Sequence, residues 1–118
     1  MNQILNQYHL TFKNVILNDG TILKTCEAPA ATDSSTIALH LTSSRKFDMF
    51  DSILYDVERA LANEGYQKEH SIGDTFVQIA LTTVTIDEWI TLPITDYKAI
   101  LEEWIAFLKT PPLNFQKV

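Results

Sequence analysis

Three histidines, one cysteine and fifteen carboxylates are the side chains with which this sequence could do chemistry. His9, His40 and His70 have no metal-ligand spacing with one another or with Cys26, as a zinc site would require. His9 and His40 fall where they can share a sheet face, and strand histidines more often bond their neighbours than bind a metal. Cys26 stands at a strand end with only Lys24 as a nearby base, so it reads as a small apolar group. A cysteine–histidine pair with His40 or His70 has no local support. Asp48 and Asp51 lie three residues apart, and Glu102 and Glu103 are adjacent. Paired carboxylates work as acid and base when one of them is desolvated. These point away from the apolar stripes of their helices and are expected to be solvated. Gly20, Gly65 and Gly73 all fall at turns or loops, and none opens a phosphate-binding loop. The expectation is a chain that is not an enzyme and takes no cofactor or metal.

The elements that carry these residues follow from hydrophobic periodicity. From Asp96 to about Lys109, Ile100, Leu101, Trp104, Ile105 and Leu108 recur at the spacing of one helical face. Thr95 is placed to cap that helix. Asp96 and Lys109 complement its macrodipole, and Pro111 and Pro112 end it. Its Trp104–Phe107 shoulder either packs into a groove or stays exposed as an aromatic anchor. A second helix is expected from Phe47 to Asn63, with Phe50, Ile53, Leu54, Val57 and Leu61 as its stripe. Ser43 or Ser44 would start it and Gly65 would follow it as the C′ residue. Asp48, Asp51, Tyr55 and Glu58 project from one flank of the stripe, and Asp56 from the other.

Strand patterns fill the rest. Tyr8, Leu10 and Phe12 alternate with polar residues, Val15 to Leu17 form a short apolar run, and Asn18-Asp19-Gly20 signals a tight hairpin into Thr21 to Thr25. Glu27 to Ser35 reads as a loop. Thr36 to Thr42 alternates Ile37, Leu39 and Leu41 on one face, which predicts a strand with His40 on the opposite face. Val77, Ile79 and Leu81 share a face, and Val84 and Ile86 resume in the opposite parity, so a bulge or turn belongs at Thr82-Thr83. Asp87-Glu88 is a candidate loop tip, followed by a short strand from Trp89 to Leu92. The whole is an α+β domain over residues 1–118: a mainly antiparallel sheet of five to six strands with two helices on one face.

At 118 residues the chain is long enough for a single core. A lone cysteine excludes an internal disulfide and suits a reducing compartment. The first residues lack a basic segment followed by an apolar run, and no stretch has the length of a membrane span, so a cytoplasmic protein is expected. The net charge of −6 disfavours nucleic acid and anionic membranes as partners. The charge is unevenly divided: residues 1–46 carry three acids and four bases, whereas residues 47–118 carry twelve acids and five bases. Such an acidic region either solubilises the domain or steers a basic partner towards it.

The segment WITLPITDYKAILEEWIAFLK, Trp89 to Lys109, resembles the closing strand and helix of small bacterial immunity proteins of polymorphic-toxin and contact-dependent growth-inhibition systems. The likeness lies in the Leu-Pro pair before an acidic helix, the ILEEW centre and the aromatic-leucine-lysine end, and it covers about a fifth of the chain. The resemblance implies a cytosolic inhibitor that binds a cognate toxin domain, commonly a nuclease, and blocks its active site or basic substrate groove. It would be a monomer or weak homodimer when alone. The residues singled out for that contact are Asp48, Asp51, Tyr55, Glu58, Asp87, Glu88 and Trp89, with Glu102 and Glu103 as further contributors. The alternative is a non-catalytic structural or adaptor module that forms a homodimer.

Overall fold

The computed structural model describes residues 3–30, 32–43, 47–62, 68–72 and 75–117. Among them the chain runs α1 (Gln3–Gln7), β1 (Thr11–Ile16), β2 (Ile22–Glu27), α2 (Asp33–Thr42), α3 (Phe47–Leu61), β3 (Lys68–Ile72), β4 (Thr75–Ile79), β5 (Thr83–Ile86), β6 (Ile90–Pro93) and α4 (Ile94–Leu108). The α+β class stands, with six strands, but the described residues form four helices and two antiparallel sheets rather than two helices on one sheet.

The first sheet is the hairpin β1–β2, with Val15 opposite Leu23 and Phe12 opposite Cys26. Gly20 sits at φ 85°, which an L side chain rarely adopts. Around it the Leu17 N–H donates to the Thr21 carbonyl, and the Asp19 carboxylate accepts from the Thr21 N–H at 2.9 Å. Hydrogen bonding from the Thr21 side chain, and then from its N–H, holds the Asp19 carboxyl below its usual pKa. The C-terminal tail joins the other edge of β2: Ile22 N–H donates to the Gln116 carbonyl and Phe115 N–H to the Ile22 carbonyl.

Strand pairing begins later than the sequence pattern predicts. Gln7 closes α1, and His9 (φ 55°) takes the left-handed position that ends it. The Leu10 N–H reaches the Leu5 carbonyl and the His9 N–H the Asn6 carbonyl, the two bonds of a Schellman cap. Five residues are too few to show a helical period, and Leu5 and Leu10 serve as anchors to the core instead.

The second sheet, in the order β3-β4-β5-β6, is a meander with Val77 opposite Ile86, Val84 opposite Leu92 and Ile86 opposite Ile90. These residues form its buried face, and α2, α3 and α4 cover that face. The opposite face presents Glu69, Gln78, Thr85 and Thr91 in one row across the four strands, tied by Gln78–Glu69 and Thr85–Thr91 hydrogen bonds. The parity switch expected at Thr82-Thr83 is a turn, closed by Ala80 N–H to the Thr83 carbonyl, and it leaves Leu81 exposed outside the strand.

The segment predicted as a strand from Thr36 to Thr42 is helical. Ile37, Ala38, His40 and Leu41 are buried, at the spacing of a helical stripe, and Leu39 is 57 % exposed. His40 therefore lies in the core, not across a sheet from it. Ser43 closes α2 instead of opening α3; Ser44, Gly65 and Gly73 lie outside the described residues. In α4 the cap position is taken by Pro93, whose extended backbone precedes the first turn, so Thr95 sits inside the helix. Trp104 is wholly buried and Phe107 half-buried, so the aromatic shoulder packs inward. No helix among the described residues is long and apolar enough to cross a membrane.

Candidate functional site

Of the titratable groups inside the core, His40, Tyr97, Lys24 and Asp56 are bound to one another or to neighbouring polar groups. His40 Nε2 lies 2.8 Å from the Tyr97 hydroxyl and Nδ1 lies 3.1 Å from the Thr75 hydroxyl. The Ser43 hydroxyl closes the group by donating to the His40 carbonyl. Burial drives the His40 pKa down to about 4 and pushes the Tyr97 phenol far above its ordinary value. An imidazole held neutral between two hydroxyls can order α2, β4 and α4 against one another. Enclosed at 0 % exposure, it presents no open face to a substrate. Cys26 is likewise buried, its thiol pushed up to about 12, and that disfavours the reactive thiolate. Among the described residues no three His, Cys, Asp or Glu side chains are grouped to hold a metal ion.

Lys24 is the least expected of these groups. It is only 2 % exposed, donates from Nζ to Asn14 Oδ1 at 2.8 Å, and holds its ammonium 4.1 Å from the centre of the Phe107 ring. Desolvation lowers its pKa. An amide oxygen and a ring face together satisfy the cation where a carboxylate is the usual partner.

The residues predicted to meet a partner fall on three separate elements. Asp51, Tyr55 and Glu58 lie within about 60° of arc on α3 and all face solvent. Tyr55 is 59 % exposed, so an aromatic ring stands between two carboxylates. Arg59 leans over that ring, its guanidinium carbon 5.7 Å from the centre, and tempers the local negative charge. Asp48 lies within α3, but its side chain falls outside the described residues. Asp56, on the other flank, turns inward to a close hydrogen bond with His70 of β3. On α4, Glu102 is exposed and pairs with Lys98 one turn earlier, while Glu103 is half-buried.

The third group forms the turn between β5 and β6. Asp87 (φ 55°) and Glu88 (φ 54°) both adopt the left-handed conformation, and the Trp89 N–H closes the turn on the Ile86 carbonyl. Asp87 is half-buried and has a structural duty: its N–H donates to the Phe76 carbonyl, and its Oδ1 accepts the Phe76 N–H at 2.8 Å. Glu88 and Trp89 face solvent. Trp89 does not join the α3 flank; it walls a recess with Tyr8, Asp33 and Ile37, near the starts of α2 and α4. Asp33 and Tyr8 carried no sequence signal for this site, since one reads as loop and the other as strand.

Comparison of the chain with family models, with curated proteins and with solved structures gives no match in any of the three.

Proposed function

We propose that this chain is an immunity-type inhibitor that acts in the cytoplasm, binding a cognate toxin domain with a basic surface, such as a nuclease, and covering its substrate groove. The observation that carries the proposal is the α3 flank, where Asp51, Tyr55 and Glu58 share one solvent-facing stripe. Carboxylates there can stand in for substrate phosphates, and the exposed tyrosine adds apolar contact area. Complementary charge speeds capture, whereas desolvated aromatic contacts slow release, and a toxin inhibitor needs both. The internal titratable groups, His40, Tyr97 and Lys24, serve packing bonds, so recognition rather than catalysis is assigned to this fold.

The experiment is co-expression. The reading frame next to this one should encode a chain whose terminal domain arrests growth when produced alone, and this protein should restore growth. The double variant Asp51→Lys/Glu58→Lys should fold normally and protect poorly. A neighbour that is harmless, or protection undiminished in the double variant, would remove the support for this surface.

For the homodimer reading, the edge strands among the described residues are β1, β3 and β6. The Trp104–Phe107 shoulder is covered, while β1 pairs with β2 along one edge and carries Ile16 exposed at the end of the hairpin.

A further inference from the structure

Trp89 is the most exposed of the large apolar side chains described, at 75 %. It is also held firmly. Of the two residues before it, both left-handed, Glu88 takes a backbone conformation that costs such a residue about 1–2 kcal/mol. Three hydrogen bonds, through Asp87 and Phe76 and from Trp89 to Ile86, fix the turn. A turn that only reversed the chain would favour glycine after Asp87, where Glu88 stands. Strain held in place beside an exposed aromatic ring is a mark of a contact site.

Behind the ring lies a recess of about 260 Å³ lined by Trp89, Tyr8, Asp33, Ser34, Ile37 and Leu92, among others. That volume falls below the ~300–1,000 Å³ of pockets for drug-sized ligands and suits a single side chain. Its charge decides which one. The first turn of α2 and Pro93, the residue that precedes α4, line it, and two helix N-termini bring about half a positive charge each. Asp33 places a full negative charge at one, and Asp96, whose Oδ2 accepts the Tyr8 hydroxyl at 2.6 Å, places another at the other. The balance is about one negative charge. An anion that the helix ends alone would attract is therefore turned away. The described lining contains no lysine or arginine to neutralise a cation site from within.

We infer that this recess receives an arginine side chain of the partner protein. The guanidinium plane stacks on the indole of Trp89, whose π-face attracts cations, and its N–H groups reach the Asp33 carboxylate as a charge-assisted fork. Lysine offers a point charge without the plane and fits less well. The identity of the partner rests on the inhibitor reading above; the chemistry of the recess does not.

The test needs no toxin. The full chain, labelled with ¹⁵N, is titrated with N-acetyl-arginine amide, and with the lysine and citrulline analogues as comparators. The Trp89 indole N–H and the Ser34 amide should shift saturably with arginine in the millimolar range. Lysine should bind about fivefold more weakly, and citrulline, which keeps the shape and loses the charge, should leave both signals in place. Asp33→Asn should weaken arginine binding about fivefold or more, and Trp89→Leu should abolish the Ser34 shift. An equal response to citrulline or lysine, no response to arginine, or binding undisturbed by either substitution overturns the assignment. Arginine binding with a harmless neighbouring gene product would sink the inhibitor reading alone. A toxin complex indifferent to Trp89→Leu would sink this one alone.

Discussion

Replacing Trp104 with alanine should lower the free energy of unfolding by about 3–5 kcal/mol, a large part of the roughly 5–15 kcal/mol that holds a domain folded. The indole is fully buried and sits at the centre of an aromatic group that joins three elements. Phe12 of β1 meets it edge-on at 5.1 Å, Phe50 of α3 at 6.3 Å and Phe107 of α4 at 5.8 Å. The two sheets share no strand, so this group is one of the ties between the hairpin and the helix-covered meander. Truncation leaves a cavity that rigid ring neighbours fill poorly. Trp104→Phe should cost much less. Among the described residues Trp104 Nε1 is buried without a hydrogen-bond partner, and losing an unsatisfied donor offsets part of the lost packing. Urea unfolding of the two variants checks both values. A similar loss for phenylalanine and alanine would contradict the role of the ring group.

The second large effect is acid lability through His40. Its folded-state pKa lies near 4, against 6.5 for the free side chain, because burial penalises the imidazolium. Its ring nitrogens bond hydroxyl groups, so among the described residues no carboxylate bonded to the ring offsets that penalty. The unfolded chain therefore takes up a proton at this residue before the folded chain does. The contribution is fully present above pH 6.5 and is lost as pH falls from there towards about 4. A gap of that size between the folded and unfolded chains is worth about 3 kcal/mol of stability. His40→Gln keeps a polar group between Tyr97 and Thr75 without the titration. Its stability should start lower at neutral pH and decline less steeply over the same interval. Parallel slopes for the two proteins would place the acid lability elsewhere.

The strongest local signals in the sequence were those that survived. Asn18-Asp19-Gly20 fixes a hairpin because glycine alone relaxes at its positive φ, and the α3 and α4 stripes are long enough to define a period. The failure at Thr36 to Thr42 has a definite cause. Ile37, Leu39 and Leu41 alternate, while Ile37, Ala38 and Leu41 also fit a helix turn, and β-branched residues tilt a short run towards strand. Tertiary packing decides it, through Cys26 N–H to the Thr42 hydroxyl and His40 to Tyr97, contacts that no local window contains. The α3 flank was legible because helical spacing places Asp51, Tyr55 and Glu58 together. The recess at Trp89 was not, because Tyr8, Asp33 and Trp89 come from three distant segments that only the fold assembles.

Under the proposed function, the acidic, aromatic-bearing surface of α3 meets a basic protein partner. The most direct test of that contact is the association rate of this chain with the toxin domain that the proposed function expects to be encoded beside it, measured by stopped flow across ionic strength. The rate should fall steeply as salt rises, and Asp51→Lys/Glu58→Lys should slow it by about tenfold or more at low salt. A rate independent of salt and indifferent to those two substitutions would contradict the account.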